Sequence, residues 1–124
     1  MNASNDNGSV WHTLPFPPSA NNLFVNAGKR GRVRSSRYDL WLNEAGWELK
    51  SQRPQKMLGR VAVTIALCPI SKRRQDADNL NKAVLDLLVK HQVIEGDDSR
   101  FVREVTVRWV DVGAHCTVCV ERAA

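Results

Sequence analysis

The residues best placed to do chemistry lie in one run, Arg73-Arg74-Gln75-Asp76-Ala77-Asp78-Asn79-Leu80-Asn81-Lys82, with an acidic pair, Asp97-Asp98, about one helix later. The run sets carboxylates that can hold a hard cation beside cations that can hold a phosphate. If residues 76–78 are extended, alternation puts Asp76 and Asp78 on the same side of the backbone, roughly 6.5–7 Å apart at Cα. Two carboxylates so placed can close on one metal ion. Crowded carboxylates repel one another, and Mg²⁺ relieves the repulsion while keeping water and phosphate oxygens among its ligands.

Asp78 is a good N-cap, so the pattern predicts a helix from Asp78 to His91. At about 100° per residue, Leu80, Val84, Leu87, Leu88 and His91 form one apolar stripe, and Asp78, Lys82 and Asp86 fall on the opposite face, one turn apart. The chemistry therefore faces away from the core. Taken singly, Asp-x-Asp is also an ordinary turn and the Asp78, Lys82, Asp86 ladder ordinary helix-surface pairing. The combination is what favours a phosphate.

The pattern Arg73-Arg74-x-Asp76-x-Asp78-Asn79-Leu80-x-Lys82-Ala83-x-x-Asp86-x-Leu88, followed by Val93-Ile94 and Asp97-Asp98, resembles the signature of the RusA-type Holliday junction resolvases. Upstream, Leu14-Pro15-Phe16-Pro17-Pro18-Ser19-x-Asn21-Asn22 is similar to that family's first strand and following turn. The likeness covers about residues 10 to 121. It implies a Mg²⁺-dependent endonuclease of DNA recombination and repair that acts as a homodimer and cuts four-way junction DNA in paired, symmetric fashion. Carried over by position, Asp76, Asp78 and Asp98 would be the metal-binding acids and Lys82 the cation that stabilises the phosphate, with Asp86 matching another acidic position placed near the site and assigned no ligand role. Residues 1 to 9 extend the start, and the segment between Lys90 and Asp97 is about one residue longer than the family pattern. That shift leaves Asp97 as an alternative to Asp98.

Composition agrees with an acidic partner. The chain has 124 residues, 43% of them hydrophobic, which suits one domain with a modest core. A net charge of +5 and a pI near 9.5 favour nucleic acid. Lys29, Arg30, Arg32, Arg34 and Arg37 fall within nine positions and read as a mobile basic loop that could follow a DNA backbone; Lys72, Arg73 and Arg74 add a second basic cluster beside the acids. Residues 1–10 do not resemble a signal peptide and no apolar run reaches membrane length, so the expected location is the cytoplasm, with no membrane partner.

The elements that must position these residues follow from periodicity. A polar tail, residues 1–9, precedes a single domain, 10–124. A strand is expected at Val10 to Leu14, a helix from about Ser36 to Gln52 with Tyr38, Leu42, Ala45 and Leu49 inward, and a strand from Arg60 to Cys68. The helix after Asp78 comes next, then strands at Phe101 to Val110 and Cys116 to Glu121, joined by a turn at Asp111-Val112-Gly113. The order is β-α-β-α-β-β, an α/β (α+β) fold with two helices on one face of a four-stranded mixed sheet. Trp41 and Trp47 are expected to be packing residues.

Other chemistries fit less well. Cys116 and Cys119 would point to opposite faces of a strand, which is poor for zinc. His12 and His115 have no nucleophile near them in sequence. A calcium loop at Asp76-Ala77-Asp78-Asn79 lacks the required glycine and the distant bidentate glutamate. A non-catalytic DNA-binding module would account for the charge and the basic loop, but not for acids gathered on a DNA-facing site.

Overall fold

The computed structural model describes residues 3–4, 9–71 and 76–123, the first two and Asp78 by backbone alone. Among these, the strands are β1 (Ala3–Ser4), β2 (Ser9–Leu14), β3 (Phe24–Asn26), β4 (Arg32–Arg34), β5 (Val61–Leu67), β6 (Val102–Trp109) and β7 (Cys116–Arg122). The helices are α1 (Ser36–Ser51) and α2 (Asn81–Lys90). The main sheet runs β1-β2-β7-β5-β6 and is mixed, with β5 and β6 parallel and the other pairs antiparallel. Parallel neighbours need a crossover, and α2 lies on the connection between β5 and β6. The two helices and four principal strands appear in the order expected, with boundaries shifted by at most three residues, the largest shift being at the start of α2. Within the expected polar tail, Ala3 and Ser4 pair with Trp11 and Val10, and Ser9 already belongs to β2.

Alternation in β5 decides which face is covered. Val61, Val63, Ile65 and Leu67 are fully buried while Ala62, Thr64 and Ala66 are half-buried. The register lines Val63, Ile65 and Leu67 up with Val120, Val118 and Cys116 of β7, all buried. Leu42, Ala45 and Leu49 of α1, with Val84, Leu87 and Leu88 of α2, join these strands in one core. Each large apolar side chain so buried contributes about 1.5–3 kcal/mol. This core fixes the helices on the sheet and leaves the opposite face of α2 for polar groups.

α1 begins where the sequence places it, because Ser35 caps it: its hydroxyl accepts the Tyr38 N–H at 3.1 Å. The start of α2 differs from expectation. Asp76 is extended, but Ala77–Asn79 form a 3-10 turn, closed by Asn79 and Leu80 N–H groups donating to Asp76 and Ala77 carbonyls. Helix α2 opens at Asn81 with Leu80 at the capping position and no side-chain cap. Asp78 is therefore not the N-cap of α2, and 76–78 is not one extended segment: burying Leu80, 1% exposed, draws the chain into a tight turn first. His91 ends the helix as its C-cap and is half-buried, so the apolar stripe stops at Leu88.

Two further expectations are corrected. Lys29, Arg30, Arg32 and Arg34 lie on an ordered ribbon, in which Phe24 pairs with Arg34, Val25 with Val33 and Asn26 with Arg32. Its tip is a 3-10 turn, Gly28–Arg30, with positive φ at its first residue, Gly28, and just after it, at Gly31, which glycine adopts without strain. Trp41 is buried, but Trp47 is 74% exposed, with the Lys50 ammonium 5.7 Å from its ring.

Candidate active site

On the exposed face of α2, Lys82 and Asp86 stand one turn apart and their side chains meet, Nζ to Oδ1 at 3.1 Å. The other oxygen of Asp86 accepts a hydrogen bond from the Tyr38 hydroxyl at 2.9 Å. Burial and that bond raise the Tyr38 hydroxyl well above its ordinary pKa. Lys82 also approaches Asp97, whose Oδ2 is 3.9 Å from the ammonium. One cation thus pairs with a carboxylate of α2 and comes near a second one from the loop before β6.

Asp98 points elsewhere. Its Oδ1 accepts from the backbone N–H and Nε of Arg100, and its Oδ2 from Nη2 at 2.9 Å. The guanidinium, then the backbone bond, hold its carboxyl down at about 2. Of the two neighbouring acids the sequence left open, Asp97 reaches Lys82 and Asp98 is clasped within its own loop.

Asp76 is exposed and lines a cleft of about 780 Å³ with Phe16, Asn22, Arg37, Trp41 and Asn79. The Trp41 indole N–H donates to the Pro15 carbonyl at 3.1 Å, which ties the proline-rich turn after β2 to α1 and shapes one wall. Among the described residues no group of three or more His, Cys, Asp or Glu converges on one point. The Asp78 side chain, and Lys72, Arg73 and Arg74 entirely, lie outside the described residues. Asp76 and Asp97 carry carboxylate oxygens, the donor chemistry that suits Mg²⁺, but they line different clefts.

A second cleft, about 520 Å³, connects this cluster with the basic ribbon. Phe24, Arg32, Arg34, Tyr38, Asp86 and Asp97 line it. Phe24 packs edge-on against Tyr38 with ring centres 5.9 Å apart, and the Arg32 guanidinium lies 5.5 Å over the Phe24 ring. Arg34 pairs with Asp39 at 3.0 Å. Two of the ribbon's cations, Arg32 and Arg34, thus share a cleft with Asp86 and Asp97, the two partners of Lys82. Arg37, in the first turn of α1, serves the larger cleft instead.

Sequence reasoning missed the roles of Tyr38 and Arg100. Tyr38 was legible as an inward residue of α1, but nothing in a one-dimensional pattern pairs its hydroxyl with an acid 48 residues away. Arg100, two residues after Asp98, was the visible signal for the clasp. Cys116 and Cys119 are both buried, and burial raises both thiols, Cys116 to about 12, which leaves them poor metal ligands. No helix of the described residues is long and apolar enough to cross a membrane.

No curated protein matches the chain. The family model described as endodeoxyribonuclease RusA matches residues 15–121, from the proline-rich turn through β7. That span takes in the cleft carrying Asp76, the Lys82 cluster and all of the core except its β2 residues, and the chain accordingly belongs to the RusA endodeoxyribonuclease family.

Proposed function

We propose that this chain is a Mg²⁺-dependent endonuclease that resolves four-way DNA junctions by paired, symmetric cleavage, acting as a homodimer. The observation that carries the reading is Lys82, a cation paired with one carboxylate and near a second on the face of α2 turned away from the core, in a member of a DNA endonuclease family. A DNA-binding surface without chemistry would be weakened by acids at this position.

Asp76, Asp78 and one of the Asp97 and Asp98 pair would hold the metal, and the Lys82 contact supports Asp97. Bound there, Mg²⁺ supplies Lewis-acid polarisation of the scissile phosphate and a lowered pKa for the attacking water. Lys82 stabilises negative charge that grows on the phosphate oxygens or on the leaving oxygen as the bond breaks. Arg32 and Arg34 on the ribbon, Arg37 by the cleft, and the Lys29, Arg30, Lys72, Arg73 and Arg74 cations neutralise DNA phosphates and set the register of the duplex arms. Two matched cuts need two sites related by a two-fold axis, and the described residues of one chain offer a single Lys82 cluster, so the working unit would be a dimer.

Separation of binding from cleavage tests the reading. Asp76→Asn and Asp78→Asn should abolish cleavage while junction affinity in EDTA holds or increases, because a negative charge facing DNA has been removed. Joint loss of both activities would assign these acids to folding instead.

A further inference from the structure

We propose that Tyr38 and Asp86 are positioning residues for Lys82, an inference that rests on the role assigned above to that lysine. Lys82 is half-exposed, and a lysine on four rotatable bonds would otherwise sample many rotamers. A solvent-exposed i,i+4 ion pair is too weak to hold it. Here the partner carboxylate is itself held: Asp86 gives one oxygen to Lys82 and the other to the Tyr38 hydroxyl. Tyr38 is 3% exposed, and its ring packs edge-on against Phe24. A chain of contacts therefore runs from the core of α1 through Asp86 to the ammonium that faces solvent.

The contacts also set a direction. Asp86 contacts the lysine at 3.1 Å from within α2, and Asp97 approaches it to 3.9 Å from the loop before β6, so both carboxylates draw the ammonium toward that loop. Phenylalanine would fill the Tyr38 site equally well for packing, and only the hydroxyl reaches the carboxylate. The second cleft opens over this chain, and Arg32 and Arg34 of the ribbon line the same wall as Tyr38 and Asp86. A DNA strand on the ribbon would pass over the residues that aim Lys82.

The experiment uses the full chain with Tyr38→Phe, Asp86→Asn and Asp86→Glu, each alone and combined with Lys82→Ala. Single-turnover cleavage of a four-way junction is read in Mg²⁺, and junction affinity in EDTA. Tyr38→Phe should slow cleavage about 5- to 10-fold and Asp86→Asn about 30-fold, with affinity within about twofold and with Asp86→Glu recovering most of the rate. In the Lys82→Ala background neither change should lower the residual rate by more than about twofold, since both act through the lysine. Undiminished losses in that background, or losses that appear in affinity, would overturn the proposal. The Lys82 side-chain NMR resonances of the metal-free protein give a readout independent of cleavage: they should move in Tyr38→Phe and Asp86→Asn. Unmoved resonances alongside normal native cleavage would sink this proposal alone, whereas a native chain that cuts no junction sinks the functional reading beneath it.

Discussion

Arg100 holds Asp98 in a fork, with Nε on one carboxylate oxygen at 3.1 Å and Nη2 on the other at 2.9 Å. Its immediate neighbour Asp97 is left to face Lys82. The two acids look equivalent in sequence and are separated by one guanidinium. Asp97→Asn should therefore reduce cleavage more than about 100-fold, the order expected for loss of a charge acting on the reacting phosphate, and Asp98→Asn less than about 10-fold. Single-turnover rates on one junction decide it; the reverse order would make Asp98 the inward acid.

The basic ribbon predicts a salt effect. Arg32→Ala with Arg34→Ala should weaken junction binding and reduce the slope of log affinity against log salt by about 2, close to 0.9 for each phosphate that is no longer neutralised. Binding titrations across a range of salt concentrations measure it. An unchanged slope would remove these two arginines from the DNA interface.

Ser35 joins two elements that carry the site. Its hydroxyl caps α1 through the Tyr38 N–H and donates to the Asn22 carbonyl beside the cleft. Ser35→Ala should cost about 1–2 kcal/mol of stability, read as a lower urea midpoint with an unchanged slope. A midpoint within error of the native chain would mean that water replaces both bonds.

His12 predicts the acid limit of the fold. It is 1% exposed, both ring nitrogens are without hydrogen-bond partners among the described residues, and burial lowers its pKa. The unfolded chain then binds the proton more readily, so this contribution to stability is complete above about pH 6.5 and declines as pH falls below it. The decline is at most about 1.4 kcal/mol per pH unit for one proton. In urea titrations between pH 7 and 5, His12→Leu should flatten the fall; an equal fall in both proteins would assign it to other groups.

Much of the fold was legible because its signals are local and periodic. The alternation of β5 and the stripe of α2 each report burial on one face, and the two helices and four main strands follow from them. The 3-10 turn at Ala77–Asn79 was not legible, because Asp78 is an equally good cap and only the depth of Leu80 in the core selects the turn. The ribbon was hidden for another reason: three-residue strands are too short to show a period, and their glycines and arginines resemble a solvated loop. At the site, Lys82 and Asp86 could be paired from helical spacing, while the Tyr38 bond and the choice between Asp97 and Asp98 depend on contacts between elements.

The most direct test of the central claim is cleavage of a labelled synthetic four-way junction and a duplex of matching sequence, in Mg²⁺ or in EDTA, by the native chain and Asp78→Asn in parallel. Paired symmetric nicks on the junction alone, requiring Mg²⁺ and absent in the variant, are the predicted result. Tight junction binding without cleavage under any divalent metal would contradict the account and make this chain a DNA-binding protein.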